Sequence, residues 1–215
     1  MVIKRRLETK DIFSSICEFA ENEVTIDEYS KSDTPENEMQ KHFSEFVSHH
    51  YDVLREVNIP AKKEIDGCGK DNWEIDETLY IQGTNGMTFY ITGELKLHTE
   101  RMSDTRNYCD EVLADVERMK YISHEYSDVP MGFILFVTCD DEECQCVVNK
   151  IERLIDTNKV QIDYELKMND NYNAIIVRIK PQNTEALYCY SHHWKARLNY
   201  LRNKGNIEEY YFSNK

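Results

Sequence analysis

Three residues pose the chemical question. Asp76 opens an alternating stretch, and Glu94 and Lys96 stand either side of Leu95 near the end of the next one. Two carboxylates brought together hold a hard divalent cation, magnesium or manganese, through oxygen ligands. Such a cation polarises a scissile phosphate and lowers the pKa of its bound water. A lysine beside the pair orients or deprotonates the attacking water and offsets developing negative charge. Asp, then Glu-x-Lys, is a chemically complete set for phosphodiester hydrolysis. The competing reading makes Glu94 and Lys96 a solvent-facing ion pair, worth little.

Positioning these groups requires a hairpin. Residues 73–82 and 87–98 alternate as strands around Gly83-Thr84-Asn85-Gly86, whose Asn-Gly pair favours a tight turn. Pairing across that turn sets Asp76 opposite roughly position 95. In the second strand Phe89, Ile91, Leu95 and Leu97 share one face, and Tyr90, Thr92, Glu94, Lys96 and His98 share the other. An apolar face laid on the core therefore presents Glu94 and Lys96 together on the opposite side, with His98 a candidate to support them.

The flanking elements follow from period. Thr34-Pro35-Glu36 is a helix start, and Met39, Phe43, Phe46, Val47 and Leu54 predict a helix over 35–56. An earlier helix over 8–21 carries Ile12, Ile16, Phe19 and Ala20, and a short strand is expected near 61–66. Val112, Leu113, Val116, Met119 and Ile122 stripe a helix over 107–126. Residues 131–138 form a continuous apolar run, the pattern of a strand buried on both faces. A helix over 142–157, a hairpin of 160–166 and 174–179 around Asn169-Asp170-Asn171, and a helix over 184–203 stopped by Gly205 complete the chain. The predicted class is α/β: a mixed central sheet flanked by helices.

Ile75-Asp76 and the run Phe89-Tyr-Ile-Thr-Gly-Glu94-Leu95-Lys96-Leu-His98 resemble the PD-(D/E)XK nuclease superfamily, the restriction-endonuclease-like fold. Isoleucine stands at position 75 where the family name has proline. The resemblance implies an α-β-β-β-α-β core over 34–138, a helical extension over 1–33 and a C-terminal hairpin and helix over 139–215, all in one nuclease-like domain. It implies Asp76, Glu94 and the Leu95 carbonyl as metal ligands and Lys96 as the catalytic lysine. Some members add a glutamate from the first core helix, for which Glu38 is the nearest candidate. The activity implied is Mg2+- or Mn2+-dependent cleavage of DNA, in a restriction or defence setting. The alternative is a non-catalytic module of the same fold that binds a protein partner through an acidic surface. For either reading, DNA, a second copy of the chain in a homodimer, or a protein partner are the expected partners.

Composition bounds the rest. The chain of 215 residues is 40% hydrophobic and 11% aromatic, enough to build a core, which excludes wholesale disorder. No apolar run approaches the roughly 20 residues of a membrane span, and the charged N-terminus lacks the apolar core of a signal peptide. A soluble, cytoplasmic protein is expected. Seven cysteines without a secretory signal point to reduced thiols, and Cys139, Cys144 and Cys146 lack the paired spacing of a zinc site. The adjacent pairs His49-His50 and His192-His193 point apart on a helix and form no bidentate metal site.

The net charge is −14, yet Ala186 to Asn206 holds four basic residues and no acid. On that helix His192, Lys195, Asn199 and Arg202 share a face that suits a phosphate backbone, with Trp194 or Tyr200 to stack on a base. Lys195 and Arg202 are the nucleic-acid contact candidates. The competing reading is a solvated basic face on an acidic protein.

Overall fold

Helical and alternating periods sort this chain into two helical layers around one sheet. The structure is a computed structural model and describes residues 9–62, 65, 71–83, 86–99, 107–155, 161–180, 188–205 and 210–211. Helix α1 (Thr9–Asn22), the short α2 (Ile26–Tyr29) and α3 (Pro35–Ser48) precede strands β1 (Asp52–Pro60), β2 (Asn72–Gln82) and β3 (Thr88–His98). Then come α4 (Tyr108–Glu125), β4 (Met131–Thr138), α5 (Asp141–Ile155), β5 (Gln161–Met168), β6 (Asn173–Lys180), α6 (Ser191–Lys204) and the two-residue β7 (Tyr210–Tyr211).

Among the described residues seven strands form one mixed sheet in the order β5-β6-β4-β3-β2-β1-β7. β3 and β4 run parallel, joined through α4; the other neighbouring pairs are antiparallel. β4 is buried along its whole length. Its Phe133, Leu135 and Val137 pack with α1 and α3, and Ile134 and Phe136 pack on the opposite side with α4 and α5. Each such side chain removed from water stabilises the fold by about 1.5–3 kcal/mol. No helix among the described residues is long and apolar enough to cross a membrane.

Two expectations are corrected here. The helix expected over 35–56 ends at Ser48, and residues 52–60 form β1. Leu54 falls on the helical spacing of Val47 by coincidence. Val53, Val57 and Ile59 are β-branched, and the segment finds a full-length antiparallel partner in β2, from Asp52↔Tyr80 to Pro60↔Asn72. The face carrying Glu94 and Lys96 is not a solvent face, because α4 covers it. Thr34 stands at the N-cap of α3 without a side-chain bond, and Pro35 takes the first turn.

Parts of several expectations lie outside the described residues: Lys63, Glu64 and Asp66 of the strand near 61–66, Thr84 and Asn85 of the turn, Val160, and residues 184–187 of the last helix. Of the described positions, Ala61, Lys62 and Ile65 are not in a strand, and residues 188–190 precede the helix, which starts at Ser191. The β2–β3 ladder closes at Gly83 N–H donating to the Met87 carbonyl, 2.7 Å. Cys109 and Cys146 bring their sulfurs within 2.7 Å between α4 and α5. Burial pushes the Cys109 thiol up to about 11.

Candidate active site

The candidate residues gather where β2 and β3 part. Their ladder runs from Gln82↔Thr88 to Glu77↔Gly93; beyond it β2 follows β1 to Asn72 and β3 follows β4 to His98. The result is a fork whose arms begin at Asp76 and Glu94, facing positions one residue away from the pairing expected. Gly93 stands at the branch because a Cβ there would lie 2.1 Å from the Phe133 ring. No larger residue fits against that ring.

In a strand the N–H and C=O of one residue point to the same edge. The odd residues of β3 turn theirs toward the fork, where the β2 backbone has departed. Side chains take its place. Asp76 Oδ2 accepts from Leu95 N–H at 2.9 Å, and Glu36 Oε2 accepts from Leu97 N–H at 3.3 Å. The Leu95 carbonyl, one of the expected metal donors, faces the same opening.

Beneath the fork lies a cluster of charges. Glu94 is 1% exposed, and Arg118 Nη1 donates to its Oε1 at 3.3 Å. Asp115, fully buried on α4, is bonded by Arg118 Nη2; its Oδ2 has no hydrogen-bond donor and sees Lys96 Nζ at 3.8 Å. Lys96 Nζ also lies 3.8 Å from Glu36 Oε1. Burial first, then repulsion from Asp76 and Asp115, lifts Glu94 well above the usual carboxylate range against the pull of Arg118 and Lys96. Burial likewise pushes Asp115 up to about 6. For Lys96, burial opposes the charge, but Asp115, Asp76, Glu36 and Glu94 outweigh it and hold the ammonium above its ordinary value.

The arrangement thus sets the carboxylates of Glu36, Asp76, Glu94 and Asp115 against the cations Lys96 and Arg118. Carboxylates raised by burial and mutual repulsion, together with an orphaned Asp115 oxygen, fit a site that takes up further positive charge. Among the described residues no three His, Cys, Asp or Glu side chains converge as a ready ligand set. Magnesium asks for less: it keeps several waters and takes one or two carboxylates. Asp76, Glu94 and the Leu95 carbonyl fit that requirement.

No protein-family model, curated protein or solved structure matches the chain.

Asp76, Glu94 and Lys96 come together; the other candidates fare differently. Glu38 turns to Lys41, 3.0 Å away on the exposed side of α3, and Glu36 is the glutamate that reaches the fork. His98 stacks on Tyr108 and bonds Glu143 at 2.7 Å, so it supports the far end of β3 instead of the fork. Lys195 and Arg202 are exposed on α6. Trp194 is 4% exposed, packed against Tyr80 and Tyr90, and unable to stack on a base; Tyr200 is 52% exposed. Asp115 and Arg118 escaped the sequence reading. Asp115 sits three residues after Val112 and four before Met119, inside the apolar stripe, and a charge there was the available signal.

Proposed function

We propose that the chain is a metal-dependent nuclease of the restriction-endonuclease-like class, hydrolysing DNA phosphodiester bonds at the fork. The observation that carries this is the convergence of Asp76, the Leu95 backbone and Lys96 around the buried Glu94. Asp76, Glu94 and the Leu95 carbonyl would hold Mg2+ or Mn2+, which when bound supplies Lewis-acid activation of the phosphate and a more acidic water. Asp76 and Glu36 keep the β3 amides satisfied and the fork open. Lys96, held as an ammonium by its carboxylate neighbours, donates to an attacking water or a phosphate oxygen and offsets charge in the transition state. It is better suited to that task than to taking a proton. Arg118 anchors Glu94 and Asp115 from below. On α6, Lys195 and Arg202 face solvent free of acidic neighbours in sequence and suit contact with a phosphate backbone.

One observation favours a second reading. Glu94 is already bonded by Arg118 and almost wholly buried, as in a structural ion network. In that reading the chain is a non-catalytic module that binds a protein partner through its acidic surface. Supercoiled plasmid and single-stranded DNA incubated with magnesium or manganese separate the two. Cleavage abolished by chelation supports the nuclease; intact DNA with every divalent cation moves the assignment to the partner-binding module.

A further inference from the structure

We propose that Arg197 on α6 is a positioning residue for Asp76, acting through a backbone kink at Glu56; this rests on the reading of the fork as a cation site. Glu56 has φ +56°, a left-handed conformation that residues with a Cβ rarely adopt. It faces Asp76 across β1 and β2, where Arg55↔Glu77 and Val57↔Ile75 pair but the bridge between them is missing. At this point the alternation of both strands changes phase. Val53 packs with the α1–α3 layer, whereas Val57 and Ile59 pack with the α4–α6 layer. On β2, Trp73 and Ile75 belong to the α4–α6 side, whereas Glu77 meets Ser44 of α3, and Leu79 and Ile81 follow it. In an unbroken strand, residues four apart share a face. Asp76 is the residue at which β2 turns over, and its carboxylate is thereby released from the ladder and aimed at Leu95.

Arg197 holds the kink at two points. Its Nε donates to the Arg55 carbonyl at 3.1 Å and its Nη2 donates to Glu56 Oε2 at 2.7 Å. Arg197 is 11% exposed, lies over the Tyr200 ring, and fixes the guanidinium fork against both the backbone and the side chain at the strained residue. From the other face Arg55 bonds Asn37 and Gln40 of α3, so the kink is gripped between the two helical layers. No sequence motif marks this: an arginine on a basic helix and a glutamate in a strand are both unremarked surface types.

The test reads Asp76 without DNA. Amide exchange of Leu95, whose N–H is held by Asp76, is compared with that of Leu135 on the neighbouring strand in wild type, Arg197→Gln, Arg197→Lys and Glu56→Gly/Arg197→Gln. Manganese affinity is measured on the same proteins. Arg197→Gln should speed Leu95 exchange at least tenfold relative to Leu135 and weaken manganese binding by a similar factor. Glycine adopts positive φ freely, so Glu56→Gly should restore both in the Arg197→Gln background. Arg197→Lys, which keeps the charge and loses the fork, should fall between. Unchanged Leu95 exchange in both Arg197 variants, or no recovery with Glu56→Gly, overturns the proposal. Wild type that binds no manganese instead overturns the cation site, while the exchange ratio still decides whether Arg197 positions Asp76.

Discussion

Asp76 accepts the amide of Leu95 at 2.9 Å, tying a carboxylate on one arm of the fork to the residue between Glu94 and Lys96 on the other. A cation held by Asp76 and Glu94 would bind the folded chain alone and would stabilise it, by about 2.7 kcal/mol when present at about 100 times its Kd. Magnesium or manganese should therefore raise the melting temperature of wild type. The double variant Asp76→Asn/Glu94→Gln should fold and lose that rise. A metal-dependent shift that survives both changes puts the cation elsewhere.

Without divalent cations the buried acids impose a pH dependence. Asp115 carries a folded value near 6 against an ordinary 3.8. Between those values the folded state binds more protons than the unfolded state, so stability falls as pH rises from about 4 to about 6. For this group alone the fall is of the order of 3 kcal/mol. Thermal unfolding in chelator should show it in wild type, and Asp115→Asn should remove that part of the fall. Parallel profiles for the two proteins contradict the assignment.

Glu36 and Glu38 offer a clean comparison on one helix. Glu36→Ala strips the Leu97 amide of its partner and removes a carboxylate from beside Lys96. It should weaken cation affinity and cleavage by up to about tenfold, the upper end of the roughly 0.5–1.5 kcal/mol of a typical intramolecular hydrogen bond. Glu38→Ala breaks only an exposed pair with Lys41 and should leave both within experimental error. Equal losses from the two variants are incompatible with the geometry at the fork.

The central triad was legible because strand parity is strict: a hairpin around Gly83–Gly86 forces Asp76 toward Glu94, and Glu94 and Lys96 onto one face. The α/β class and the buried run 131–138 were legible for the same kind of reason. The burial of Glu94 was not, since alternation alone does not say that a second helical layer covers the polar face. Glu36 was readable in retrospect: it lies three residues before Met39 and seven before Phe43, on the core side of α3, whereas Glu38 lies off it. β1 was hidden by Leu54, whose spacing continues the helix that ends at Ser48. The reversal at Glu56 and Asp76 had no signature, because a left-handed glutamate is held by tertiary contacts with Arg197 and not by a turn residue.

The exposed basic face of α6, unlike Arg197, is separable from the proposed chemistry. Lys195→Glu/Arg202→Glu alters exposed side chains of α6 and should leave the melting temperature nearly unchanged. If these residues contact phosphates, the double reversal weakens DNA binding and flattens its dependence on salt, because fewer counterions are released. Turnover at saturating DNA should hold. Identical binding isotherms and salt slopes would leave the Lys195 and Arg202 face of α6 a solvated surface.

Lys96 tests the central claim most directly. Its side chain is 15% exposed at the mouth of the fork, so truncation opens no apolar cavity. Its ammonium is held charged by the surrounding carboxylates, and preorganised charge of this kind contributes most to the transition state. The measurement is single-turnover cleavage of a labelled DNA duplex in magnesium, with wild type, Lys96→Ala and Lys96→Arg run side by side. Lys96→Ala should be slower by about two to three orders of magnitude with DNA binding retained, and Lys96→Arg, which keeps the charge, should recover part of the loss. Equal rates for wild type and Lys96→Ala would contradict catalysis at this fork.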